Sequence, residues 1–154
     1  MMNKNAKFEA FIWCIAFPGF GQLLNGKLVK GIILIVLELL INSLSGLNEM
    51  IIYSYHGNID RAIHITDYQW LMFYPCVYMF GIWDAYKDAD GGTTPYAAAP
   101  FAFGAFFGTI GVIFSRNFLG AMWLGLLGLL IGVIVGLSLK KVLRTWDSKR
   151  EEKA

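Results

Sequence analysis

Five apolar runs, at residues 8–24, 28–47, 68–86, 96–114 and 118–139, restrict this 154-residue chain to very few folds. At 17–22 residues they approach or reach the roughly 20 that a helix needs to cross the hydrocarbon core of a bilayer. No water is available there, so each segment must satisfy its own backbone N–H and C=O groups, as an α-helix does. Composition agrees, with 56 % hydrophobic and 16 % charged residues and a mean hydropathy of +0.54, where soluble domains carry roughly 25 % charge. Aromatic side chains gather at the ends of the runs, as an interfacial belt would. A net charge of +2 is too small to argue for nucleic acid. The expectation is an all-α, polytopic membrane protein forming a single domain over residues 1–154, with the lipid bilayer as its first partner.

The first run is interrupted before it can span comfortably. Residues 17–31, FPGFGQLLNGKLVKG, pack Pro18, Gly19, Gly21, Asn25, Gly26 and Gly31 into one short stretch. Glycine admits positive φ and close backbone approach, and proline fixes one φ, so this is a shaped turn. Irregular backbone at membrane depth persists only where protein or a cavity surrounds it. Residues 8–27 are therefore expected to form a re-entrant or interfacial helical hairpin. Lys4 and Lys7 precede the apolar residues 8–17 in the manner of a signal peptide, but Glu9 interrupts them and no A-x-A-like site follows. The N-terminus is expected to be retained.

PGFGQLLNGKLVKGIIL, followed by GIWDAY at residues 81–86, resembles the bacterial two-transmembrane domain family. The matching positions are Pro18, Gly19, Gly21, Gln22, Asn25, Gly26, Lys27, Gly31, Trp83 and Asp84. Trp83 and Asp84 are adjacent where the family spaces them, the two blocks lie further apart than usual, and residues 95–154 fall outside the resemblance. The resemblance implies a membrane fold and no particular activity. It also singles out Asp84 as a partner for the N–H groups of the Gly-rich turn, or for Lys27 or Lys30.

Basic residues decide the topology, because Lys and Arg concentrate on the cytoplasmic side. If all five runs cross with the N-terminus inside, the six basic residues after Leu139 lie outside. If the first run dips in and returns, eleven of the thirteen basic residues lie inside and only Arg61 and Arg116 lie outside. The second arrangement is expected. It has four transmembrane helices at 28–47, 68–86, 96–115 and 118–139, a basic cytoplasmic tail at 140–154, and both termini cytoplasmic at the cell membrane. Pro75 is expected to kink the second of these helices, and residues 48–67 to form a solvated loop that continues the first one amphipathically through EMIIYSY.

The last two helices carry stripes of small residues. Gly104, Gly108, Gly111 and Ser115 recur at steps of four, three and four, as do Ala121, Gly125, Gly128, Gly132 and Gly136 with one further step of four. Those steps place each set on one helix face, where small residues let membrane helices approach closely. The short turn between them favours a Gly-striped antiparallel hairpin. The alternative is a glycine seam facing other copies, which would build an oligomeric pore. Gly120 falls off the stripe and is expected to tolerate Leu.

Glu38 and Asn42 are the polar residues within the first long span. An acid at mid-membrane costs about 2.5–3.5 kcal/mol on insertion scales and faces protein rather than lipid. Gly31, Glu38, Asn42 and Ser45 share one stripe, while Ile33, Leu37, Leu40 and Leu44 lie opposite and suit lipid. Glu38 is expected to pin its helix to the re-entrant turn or to the Tyr-rich third run, for example at Tyr74 or Tyr78.

Catalytic signatures are absent: there is no G-x-S-x-G, no HExxH and no phosphate-binding Gly-Lys-Ser/Thr turn. Cys14 and Cys76 sit inside apolar runs without CxxC spacing and read as small hydrophobes. His56, Asp60, His64 and Asp67 would share a face in a helix, making His56 and His64 weak metal candidates, but Gly57 and the β-branched neighbours oppose that helix. Asp84, Asp88 and Asp90 beside Gly91–Gly92 resemble a calcium loop without its closing glutamate. No metal or cofactor is expected. The chain reads as non-enzymatic: an accessory or scaffold subunit that works through helix contacts with other membrane proteins or itself. The alternative is a small transporter or oligomeric channel using Glu38 and the glycine seam.

Overall fold

The computed structural model describes residues 4–89 and 94–151. The described chain is helical throughout, with 82 % of residues in helix and no strand. Nine helices follow in order: α1 Lys4–Ala16, α2 Phe20–Leu24, α3 Leu28–Ser45, α4 Leu47–Tyr55, α5 Ile59–Ile65, α6 Tyr68–Leu71, α7 Tyr74–Asp88, α8 Ala99–Phe114 and α9 Gly120–Glu151. Among the described residues two stretches are long and apolar enough to cross a membrane, Leu28–Ser45 and Met122–Arg150, and α8 is a shorter apolar helix.

Glycines set the breaks. Gly19 (φ 103°) turns α1 back into α2, and Gly26 (φ 72°) turns α2 into α3. α1 has 13 residues, a rise of about 20 Å against a core of about 30 Å. The turn at Gly19 returns the chain against α1 as the second half of a hairpin. Gly46, in the left-handed conformation, ends α3 with its N–H on the Asn42 carbonyl and starts α4.

Two sequence expectations need correction here. Residues 48–67 are not a solvated loop: α4 and α5 form a helical hairpin around Gly57 (φ 75°), and Met50 and Ala62 are buried in a cluster with Leu47, Leu71, Val112 and Met122. Burial of one apolar face outweighs the poor helix propensity of Ile59, Ile63 and Ile65. Pro75 kinks nothing, because it lies in the first turn of α7, after a break at residues 72–73 that separates α7 from the one-turn α6. Proline is tolerated there because the N–H it lacks has no helical partner in any case. Within the basic tail, residues 140–151 continue α9 without a break.

α8 and α9 form an antiparallel pair, the most extensive contact in the chain, and α7 packs against α8. A second buried cluster of Cys14, Met79, Ile82 and Ala85 joins the α1–α2 hairpin to α7. Large apolar side chains, including Val29, Ile32, Phe106, Leu130 and Ile134, cover the exterior. An exterior of this kind suits lipid, and soluble monomers rarely present it. On α3 the division is clean. Gly31, Leu34, Glu38, Ile41 and Ser45 are buried, while Ile33, Leu37, Leu40 and Leu44 face outward.

Candidate functional site

The Gly-rich turn and the start of GIWDAY, more than fifty residues apart in sequence, close on one another. Glycine makes the approach possible. A Cβ at Gly21 would strike the Ala10 carbonyl and lie 2.5 Å from Cys14 Sγ and 2.9 Å from Ala85 Cβ. One at Gly19 would lie 2.6 Å from the Gly31 carbonyl oxygen, and one at Gly81 3.2 Å from Pro18 Cβ. Four elements, α1, α2, α3 and α7, thus meet at backbone distance.

Polar side chains lock the contact. Gln22 is fully buried. Its Nε2 donates to the Gly81 carbonyl at 2.7 Å and to Asp84 Oδ2 at 3.3 Å, while its Oε1 accepts from Cys14 Sγ at 3.3 Å. Asn25 Nδ2 donates to the Ala85 carbonyl at 2.8 Å. Lys30 Nζ bridges Asp84 Oδ1 at 2.7 Å and Asp88 Oδ2 at 3.0 Å. Asp84 and Asp88 are one helical turn apart, so both carboxylates face the same ammonium.

The structure therefore brings Pro18, Gly19, Gly21, Gln22, Asn25, Gly31 and Asp84 together. Lys27 stays exposed, and it is Lys30 that meets Asp84. Gly26 has nothing within 4 Å of a would-be Cβ and contributes only its positive φ. Trp83 turns away, packing on Phe101 of α8 with ring centroids 5.5 Å apart. Neither Cys14 as a thiol donor nor Asp88 as the second acid was singled out from sequence. The spacing of Asp84 and Asp88 four apart was the available signal for the latter.

Glu38 makes a second polar centre, with only 4 % of its surface exposed. Tyr74 is its hydrogen-bond partner, and its Oε2 has none among the described residues. Tyr78 stacks on Tyr74 with centroids 5.8 Å apart and donates its hydroxyl to the Ile15 carbonyl at 2.7 Å. Tyr74 and Tyr78 line an apolar groove of about 360 Å³ that opens between α1, α4, α7 and α9. Asn42 does not join this centre, because its Nδ2 donates to Asn48 Oδ1 at 3.1 Å.

The glycine stripes meet one another. A Cβ at Gly128 would strike the Phe107 carbonyl, one at Gly132 the Phe103 carbonyl, and one at Gly111 the Leu124 carbonyl. One at Gly136 would lie 2.5 Å from Pro100 Cα. Gly125 has more room, with Val112 Cγ2 at 3.2 Å. Gly104 and Gly108 also accommodate α7, through Met79 Cε at 2.6 Å and Pro75 Cβ at 3.0 Å. Gly120 is not a tolerant position as expected from the stripe. Its φ is +77°, and a Cβ there meets Ile59 Cγ2 at 3.0 Å.

The histidines do not converge. His56 caps α4 with Nδ1 2.7 Å from the Ile52 carbonyl, Gly57 separates it from the helix that holds His64, and Asp67 caps α6 by accepting from Gln69 N. Among the described residues no three potential ligands group together. Asp90, Gly91 and Gly92 lie outside the described residues. No family model matches the chain, and neither a curated protein nor a solved structure matches it.

Proposed function

We propose that this chain is a non-enzymatic, multi-pass membrane protein that serves as an accessory or scaffold subunit, with the fold suggested by its resemblance to the two-transmembrane domain family. Four crossings support its topology best: α3, the α6–α7 unit, α8 and α9, with the α1–α2 hairpin dipping in from the cytoplasmic side. One observation carries the functional reading. Three polar residues of the motif, Gln22, Asn25 and Asp84, are engaged with other parts of the same chain, as is the neighbouring Lys30, while the motif's Lys27 stays exposed. Groups committed to internal bonds hold a shape; they leave little for substrate chemistry.

Such a protein acts through the shape it presents to other membrane helices. Its test is gentle extraction, native mass determination and identification of whatever co-purifies at fixed stoichiometry. Recovery of a lone monomer under every mild condition would count against a scaffold role.

The unpartnered Oε2 of Glu38 favours a second reading, a small transporter in which this acid carries a proton or cation. The oligomeric glycine seam draws less support, because Gly111, Gly128, Gly132 and Gly136 are closed against their own hairpin.

A further inference from the structure

The last third of α9 is a charged surface that the packing of the bundle does not use. α9 has 32 residues, a rise of about 48 Å, whereas a bilayer with its headgroups measures about 40–45 Å. Residues 120–139 contain no charged side chain, and their rise of about 30 Å fills the hydrocarbon core. Lys140, Lys141 and Arg144 therefore emerge together at the depth of the lipid phosphates. With Ser148 they line one shallow concavity of about 460 Å³.

No salt bridge among the described residues ties down these three cations: the ion pairs are those of Lys30, and none involves α9. Asp147, at the edge of the same face, accepts from the Tyr96 hydroxyl at 2.8 Å. Snorkelling side chains of this length extend their charge to the interface while their stems lie along apolar surface. Four to eight cations directly cytoplasmic of a spanning helix attract anionic headgroups.

We propose that the Lys140–Lys141–Arg144 face of α9 binds the phosphate group of an anionic phospholipid in the inner leaflet. The assignment of leaflet rests on the topology proposed above. The binding itself does not, because detergent–lipid mixtures offer headgroups at both ends of the helix. Binding would anchor the α8–α9 hairpin at a fixed depth and make its seating depend on lipid charge.

The test is native mass spectrometry of the full-length protein in detergent with equimolar phosphatidylglycerol and phosphatidylcholine. The wild type should retain phosphatidylglycerol preferentially. Each surface cation contributes roughly a factor of five, so the triple variant Lys140→Gln, Lys141→Gln, Arg144→Gln should lose at least about tenfold of that preference. Lys149→Gln with Arg150→Gln removes charge from the same segment further from the core and should leave most of it. Equal losses in both variants, or none in the triple variant, would overturn the proposal. So would an equal preference for phosphatidylcholine, or full competition by inorganic phosphate, which would mark a generic anion effect. If the triple variant does not fold, the wild type still decides: its preference should collapse at about 1 M salt, where the Debye length is about 3 Å, and persistence there would refute a charge-driven site.

Discussion

Gln22 holds together a contact that neither half of the motif could make alone. Its buried amide serves a carbonyl, a carboxylate and a thiol at once, so truncation strands at least one buried partner, at about 1–3 kcal/mol. Gln22→Ala should lower the melting temperature in detergent, and an unchanged melt would show that the clamp is incidental. Lys30 is about half exposed, so its pair is partly screened, and Lys30→Ala should cost less than Gln22→Ala in the same assay. Glu38 poses a different question at this scale. Gln at position 38 preserves shape and hydrogen bonding but cannot ionise. A structural acid predicts that Glu38→Gln is silent while Glu38→Leu misassembles, as read by size-exclusion profile and yield. A well-folded Glu38→Gln that loses the cellular phenotype would favour the transporter. The sequence stripe Gly31–Glu38–Asn42–Ser45 foretold the buried face of α3 at three of its four positions, and Tyr74 was one of the partners it left open for Glu38. Asn42 escaped it because a residue at the edge of a stripe can turn to the next helix, here to Asn48 in the first turn of α4.

Among elements, the α8–α9 hairpin is the most legible and the most exposed to test. Steps of three and four between glycines translate directly into one helix face, and at Gly132 that face touches the opposing backbone. A graded series follows. Gly125→Ala, facing only a movable valine methyl, should be nearly neutral. Gly132→Ala should destabilise by about 1–3 kcal/mol, because a carbonyl cannot step aside as a side chain can, and Gly132→Leu should prevent folding. Similar melting temperatures for the Gly125 and Gly132 alanine variants would refute a close-packed hairpin. The α9 extension was not legible, since a polar basic segment carries no apolar stripe to announce a helix. The Tyr96–Asp147 bond explains part of its order. That bond raises the pKa of the Tyr96 hydroxyl by favouring its neutral form. The tether is therefore intact below the ordinary tyrosine range, at about pH 10, and is lost as pH rises through the raised value. Tyr96→Phe should speed amide exchange in residues 144–151 at neutral pH while leaving 122–136 protected. Uniform exchange rates in the two proteins would mean that the bond holds nothing.

For the whole molecule, the apolar runs announced an all-helical chain and marked where most long helices lie, two of them long and apolar enough to cross a membrane among the described residues. The return of α5 onto α4 stayed hidden. The residues of this hairpin look like a loop because Gly57 and the branched Ile59, Ile63 and Ile65 disfavour an isolated helix. They become helical because Met50 and Ala62 bury against Leu71 and Val112, a contact no local pattern reveals. That hairpin caps one end of the bundle, and the proposed topology requires it to be the outer end, opposite the α9 extension. Asp60 and Lys149 are both exposed, so a cysteine at either position can be reached by a bulky reagent. Cys14 is buried and Cys76 is exposed, so both variants are made in a Cys76→Ser background, which leaves a low signal for a membrane-impermeant maleimide. Asp60→Cys should label in intact cells, and Lys149→Cys only after the membrane is opened. In the proposed topology the two positions must also behave oppositely, because its four crossings, α3, the α6–α7 unit, α8 and α9, are even in number and Asp60 follows the first of them. Labelling of Lys149→Cys from outside would reverse the orientation on which the lysine count depends. Labelling of both from outside would mean that one of the shorter helices, α7 or α8, does not cross.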